Sequence, residues 1–386
     1  VLFRSESPKM PSPPAPEEVK QASKAEPATQ GPKPKVTTIK PKSSSITSKS
    51  SSSKTPEVKK TPEIKKTPAV ASEKKGDGEF GQDDDDKQTA ETKPVAAPSS
   101  LRGEPSHPLP PSQQGGGWKL IKVNGRDYVT ADSIHQFYRF SSYKVDGTHV
   151  WLKSNNLILK AQIGSLEILI NNIKFILSYP VTESGGSALF SRLDLCKLID
   201  PVLRPTYISD AEPFDTVVID AGHGGHDAGA RGVYGYEKDF ALKMAFVVKD
   251  SLEKKGFRVI LTRSTDTFIT LSGRVAIANA TPRSIFLSLH FNSGGTAASG
   301  IETFALTPQG SAASLERGGG YNANGLTGNS HDSANIALAT AVHAMVISRF
   351  KFVDRGIKRA QWSVLTGCKR PGILFEGGFV TNGNEC

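Results

Sequence analysis

The sequence predicts an α/β fold. A mixed, largely parallel sheet flanked by helices is preceded by a small α+β module and a disordered N-terminal segment. Three observations lead there. From residue 215 onward, short β-branched apolar runs alternate with helical runs. Between 118 and about 205, strand-like runs are mixed with one or two short helical stretches. Before that, residues 1–116 are rich in Pro, Ser, Thr, Lys and Glu and nearly devoid of aromatics. Such a composition cannot bury enough apolar surface to offset the entropy of ordering. The expected organisation is a tether over 1–116, a module over 117–205 and a larger domain over 206–386.

Within the tether, "KTPEVKKTPEIKKTPAV" (54–70) repeats every six residues, and its Thr-Pro pairs favour an extended, stiff spacer. "DDDDK" (83–87) is a solvated charge run with nothing to fix a metal geometry. In the module, "WKLIKV" and "ILINNIKFILSYPV" read as strands. "TADSIHQFYRF" reads as a helix with a Thr cap, and "SRLDLCKLIDPVL" as a second helix ending near Pro201. His135 and His149 have no partner at ligand spacing and read as structural.

In the larger domain, strands are expected at 216–220, 257–262, 285–290, 300–306 and 372–376. Helices are expected near 237–254, 273–280 and 333–350. The first buries Ala241, Met244, Val248 and Leu252 at helical spacing and is closed by Gly256. In parallel α/β sheets, ligands gather beyond the carboxyl ends of strands.

Composition narrows the function. The net charge of +10 is spread through the chain without a basic, aromatic-interleaved stripe in the sequence, so nucleic acid is not an expected partner. An anionic polymer such as cell wall suits a basic surface. The three cysteines, Cys196, Cys368 and Cys386, form neither a disulfide framework nor a zinc ribbon. No transmembrane run or signal peptide is visible, and the chain begins with Val rather than Met.

The chemistry is expected at "TVVIDAGHGGHDAG" (216–229). A glycine-rich turn after a strand often cradles phosphate. Here the dinucleotide pattern fails at Asp227, and the Gly-Lys-Ser/Thr ending of a P-loop is absent. What the turn displays is His223. His290 ends "IFLSLH", Glu376 ends "GILFE", and Glu237 opens the helix after the His223 loop. Two imidazoles and a carboxylate make the ligand set of a hydrolytic zinc site with one position open, and a further carboxylate serves as general base. The spacing also allows His223 as a plain loop residue and His290 as a hydrogen-bonded strand end.

Residues 215–386 resemble the catalytic domain of zinc-dependent N-acetylmuramoyl-L-alanine amidases, the type 3 amidases. The segments are "VVIDAGHGGHDAGARG", "YEKDFALKMA", "VILTRSTDTFITLSGRVAIAN", "IFLSLHFN", "GIETFAL", "NIALATAVHAMV", "DRGIKRAQWSVL" and "PGILFEGGFVTN". The resemblance implies one Zn²⁺ held by His223, Glu237 and His290, with Glu376 as the catalytic residue. It implies peptidoglycan as substrate, cleaved at the amide between N-acetylmuramic acid and L-alanine. It allows an activator protein, no stable membrane insertion in the visible chain, and action in the cell envelope, periplasmic or secreted. Asn292 and Arg359, the latter in "GIKRA", are placed along the substrate cleft. The 308–332 loop corresponds to a place where relatives carry variable or occluding inserts. Family domains run on past the last motif, so a domain truncated at its C-terminus is expected. A zinc peptidase acting on stem peptides and a non-catalytic wall-binding protein are the competing readings. Residues 118–205 resemble more faintly the small module named after the N-terminal domain of copper amine oxidases. That resemblance implies a stalk or wall-binding unit that positions the enzyme and takes no part in catalysis.

Overall fold

The computed structural model describes residues 107–110, 117–209 and 211–386. The tether expected over 1–116 lies outside these residues except for 107–110, which pack against the module. The Arg192 side chain donates from Nε to the His107 carbonyl at 2.7 Å, and Trp118 donates from Nε1 to that of Pro110 at 2.8 Å.

The module begins with strands β1 (Leu120–Val123) and β2 (Arg126–Thr130) and helix α1 (Ala131–Phe137), which Thr130 caps by accepting from the Ser133 amide. Strands β3 (Ser142–Asp146), β4 (His149–Lys153), β5 (Ile158–Gln162), β6 (Glu167–Ile170) and β7 (Ile173–Ile176) form an antiparallel meander. The β6–β7 turn is Asn171-Asn172, both at positive φ, as a two-residue hairpin requires. Strands β8 (Thr182–Ser184) and β9 (Ser187–Ser191) join β2 and β1 in a four-stranded sheet.

A helical stretch follows: α2 (Arg192–Asp194), a π turn (Leu195–Ile199) and α3 (Asp200–Leu203). The stretch ends at Leu203, close to Pro201 as expected, with Pro201 itself inside the last turn. Proline lacks the N–H that the Lys197 carbonyl would accept four residues back. That carbonyl instead accepts from Nη2 of Arg359 at 2.5 Å.

The remaining elements are β10 (Thr216–Ala221), α4 (Glu237–Glu253), β11 (Arg258–Leu261), α5 (Leu271–Asn279), β12 (Ser284–Asn292), β13 (Ile301–Leu306), α6 (Asp332–Arg349), β14 (Asp354–Ala360), α7 (Ser363–Thr366) and β15 (Gly372–Phe379). Each expected strand and helix is present within a few residues. Strand β14 was not anticipated. Its sequence, DRGIKRA, is too charged to read as a buried strand, yet Gly356 through Ala360 are all buried. The charges are answered one by one: Lys358 by Glu302, and Arg359 by the carbonyls of Leu306 and Lys197.

The strands form one eleven-stranded sheet in the order β11-β10-β12-β15-β13-β14-β7-β6-β5-β4-β3. In the larger half, β10, β11, β12 and β15 are parallel, while β13 runs antiparallel to β15 and parallel to β14. The meander joins through β14 and β7 at Ile357 and Phe175. One apolar cluster spans the join. Val150, Leu152, Leu159, Ile168 and Phe175 of the module pack with Ala305, Ile336, Ala339, Ile357 and Ile373. Helix α6 therefore covers both halves on one face of the sheet.

Candidate metal centre

His223 follows β10 directly, at φ 59°. A left-handed backbone is costly outside glycine, and here the turn is held from behind. Two buried guanidiniums take the carbonyls at the end of β10. Arg263 donates to Ala221 and Gly222, and Arg274 to Ala221 and His223. Arg274 also donates at 2.7 Å to Asp220, whose carboxylate accepts as well from the Thr262 and Ser288 hydroxyls. Neither arginine was anticipated as a site residue. Their signal lay in the segment "VILTRSTDTFITLSGRVAIAN", which supplies both. Gly222 must be glycine: a Cβ there would lie 2.4 Å from the His290 ring. Gly229, at φ +65°, faces the same constraint from His223 and Glu237.

The predicted ligands converge. His223, Glu237 and His290 each offer a ligand atom, and these atoms all lie within 4.8 Å of one another. Nε2 of His223 and Nδ1 of His290 approach Oε1 of Glu237 at 3.0 and 2.9 Å, and the two imidazole rings stand edge-on with centroids 4.9 Å apart. Glu237 is fixed by the amides of Ala230 and Phe291, which donate to it. Asp227, which the sequence did not single out, pairs with Nδ1 of His223 at 2.9 Å. It thereby orients the ring and sets which nitrogen faces the centre.

Glu376 stands on β15 beside His290 on β12 and opposite Glu302 on β13. Its Oε2 is buried without a hydrogen-bond partner. Burial raises its carboxyl well above the usual range, and the nearby Glu237 and Glu302 carboxylates add to the effect. Burial opposes charging His223, but the Asp227 and Glu237 carboxylates prevail and hold its imidazole at about 10. Burial likewise opposes charge on Glu237, and the two imidazoles outweigh it and hold that carboxyl well down. The Glu237 carboxylate and two imidazole nitrogens crowd one point, and Glu376 stands on the strand beside it. A divalent cation answers these three donors, and the N,N,O set suits zinc.

Of the two predicted cleft residues, Asn292 lies beside Glu302, which pairs across the strands with Glu376. Asn292 ends β12, donates to Glu302 at 2.5 Å and accepts from Arg317 at 3.1 Å. Arg359 is a correction: it is 2% exposed, and its guanidinium is spent on the Lys197 and Leu306 carbonyls. Adjacent strand residues point to opposite faces, so Lys358, not Arg359, faces the site. Lys358 pairs with Glu302, toward which Arg355 and Arg317 also reach at 3.5 and 3.8 Å. Arg317 belongs to the 308–332 loop, so that loop borders the site. His343 is buried between Thr303 and Asp354, His226 lies tilted against the Phe268 ring, and His331 meets the Lys369 carbonyl.

Residues 217–386 match the N-acetylmuramoyl-L-alanine amidase family, Amidase_3. A protein of uncharacterised function from Bacillus subtilis (strain 168), YqiI, is 36% identical over 177 residues, which are 45% of this chain and 76% of that one. The sporulation-specific N-acetylmuramoyl-L-alanine amidase of the same organism is 31% identical over 42% of this chain and 56% of its own length. The catalytic domain of CwlV, an N-acetylmuramoyl-L-alanine amidase from Bacillus (Paenibacillus) polymyxa var. colistinus, is 33% identical, with 44% of this chain and 84% of that one covered and a TM-score of 0.36. The chain thus spans about half the length of the sporulation amidase. Through residues 217–386, it belongs to the N-acetylmuramoyl-L-alanine amidase family.

Proposed function

We propose that this protein hydrolyses the amide joining the lactyl group of N-acetylmuramic acid to L-alanine in peptidoglycan, with one zinc ion held by His223, Glu237 and His290. The observation that carries the reading is the convergence of these three donors beside a buried, unpaired Glu376 oxygen, within a family whose members cut this bond. Zinc bound there supplies Lewis acidity toward the amide carbonyl and makes water more acidic.

The chain's own groups do the rest. Asp227 and the Arg263–Arg274 pair fix the His223 turn. Glu376, on the strand beside His290, takes a proton from the attacking water. It passes that proton to the departing alanine nitrogen as the C–N bond breaks, leaving a lactyl carboxylate and a free stem peptide. Glu302 stays charged under Lys358 and fixes Asn292 at the rim. The 117–205 module contributes no group to this centre. Action on cell wall places the protein outside the cytoplasm.

The test is digestion of purified wall by the zinc-loaded full chain, with products separated by mass. Intact stem peptides with free N-terminal alanine support the reading. Stem peptides cut internally establish the peptidase instead, and binding without release establishes a wall-binding protein.

A further inference from the structure

The sheet that carries Glu376 does not stop at the catalytic half. The cross-strand register continues through the module. Lys174 on β7 faces Leu169 on β6, which faces Lys160 on β5, then Trp151 on β4 and Lys144 on β3. Side chains alternate between the faces of a strand. Ile357 and Phe175, paired at the join, point into the core under α6. Their neighbours Lys358 and Lys174 therefore share the opposite face, which is the face of Glu302 and Glu376. The close approach at the join agrees: a Cβ on Gly356 would lie 3.1 Å from Lys174.

On the module this face is open. The burial of β4, β5 and β6 alternates, with Val150, Leu152, Leu159, Ala161, Ile168 and Ile170 in the core and the row of Lys160, Trp151 and Leu169 half-exposed. Trp151 stacks with His149 at 5.6 Å, and the Lys144 ammonium lies 5.8 Å from its ring. The charge is unbalanced. Lys144 and Lys174 are paired with Asp146 and Glu167, whereas Lys160 hydrogen-bonds the neutral Asn172 and Lys153 is exposed.

We propose that this strip, Lys174 to Lys144 with Trp151 and Lys153, binds a further length of the peptidoglycan strand whose amide is being cut. The proposal rests on the amidase reading. The argument is continuity with the catalytic face together with complementarity. The aromatic pair offers a flat surface to sugar rings, and the surplus lysines meet the carboxylates of stem peptides. Six inter-strand steps of about 4.8 Å put Trp151 roughly 29 Å from Glu376. A single disaccharide peptide at the metal centre does not reach it; a polymer does.

Two variants of the full chain test this, Trp151→Ala and the double charge reversal Lys153→Glu/Lys160→Glu. The readouts are co-sedimentation with purified insoluble wall, wall digestion, hydrolysis of a soluble disaccharide-peptide, and Tm. Both variants are expected to bind wall at least about fivefold more weakly, a loss of roughly 1 kcal/mol. Their wall digestion should fall in step, while kcat/KM on the soluble substrate stays within about twofold. Unchanged wall binding at unchanged Tm overturns the proposal. So does an equal loss on both substrates, or a parent chain that prefers duplex DNA to wall. If the parent releases no intact stem peptide from wall, the amidase reading fails, and co-sedimentation still decides the strip.

Discussion

The two halves of the large sheet solve the same burial problem differently. In the catalytic half, helices cover both faces: α4 and α6 on one, α5 and α7 on the other. A parallel strand there is buried along its whole length, as in β10, where every residue is buried. The candidate reactive groups gather near the carboxyl ends of strands, where His223, His290 and Glu376 meet. In the module half, the meander is covered on one face only, and each strand alternates. Polar groups are then spread along an open face. Burial on both faces makes a focused reactive centre; burial on one makes an extended surface.

The sharpest break in this comparison removes a focused group. Glu376→Gln keeps size but cannot accept a proton, so zinc should stay while turnover falls roughly 10²–10⁴-fold. Glu237→Ala should lower zinc retention and activity together, because a ligand carboxylate is lost. Zinc stoichiometry and peptide release on both variants check the assignment. Zinc loss in Glu376→Gln makes that residue a ligand instead.

The next largest effect concerns the join. The sequence suggested a module separable from the enzyme, but the two share one core. Removing 107–203 would bare the faces of Ile336, Ala339 and Ile357 and strand the buried Arg359 without the Lys197 carbonyl. Residues 206–386 alone should therefore be less stable than the whole, with a lower Tm. Phe175→Ala, deep at the join, should cost about 3–5 kcal/mol and lower a single unfolding transition. Two transitions, only one of them shifted, would restore the picture of independent halves.

Behind the His223 turn, Arg274→Met leaves Asp220 as a buried charge without its guanidinium, and Asp220 is fully buried. Breaking a buried pair this way costs about 3–5 kcal/mol. Zinc affinity should drop as well, since the His223 carbonyl loses its anchor. Retained stability and affinity would show that Thr262 and Ser288 alone support the turn.

These regions were not equally legible in the sequence. The catalytic half was plain because long β-branched runs and helical spacing are local signals, and because His223, Glu237, His290 and Glu376 fall at element ends. Strand β14 was hidden because its buried charges are answered by residues far along the chain, such as Glu302. The choice of Lys358 over Arg359 as the site-facing residue depends on strand phase, which a charged segment without alternation does not reveal. Asp227 was overlooked because its role exists only once the turn brings it against His223. In the module, "ILINNIKFILSYPV" showed its strands but not their partner, since the β7–β14 pairing joins residues about 180 apart.

The smallest expected effect lies at the module's edge. His107 is buried against Lys197, and burial first, then that ammonium, lowers its imidazole to about 4 from 6.5. Its folded value lies below its free value, so the docked form disfavours the proton. The contribution to docking is complete above about pH 6.5 and is lost as pH falls toward about 4. Acidification should therefore loosen residues 107–110 while the sheet stays intact. Trp118 reports it, since its indole donates to the Pro110 carbonyl. Tryptophan fluorescence and proteolysis near residue 110 should change across that window in the parent chain. His107→Gln, which carries no titrating group, should flatten the response. A response of equal size in the variant assigns the transition to another group and leaves the docked segment insensitive to pH.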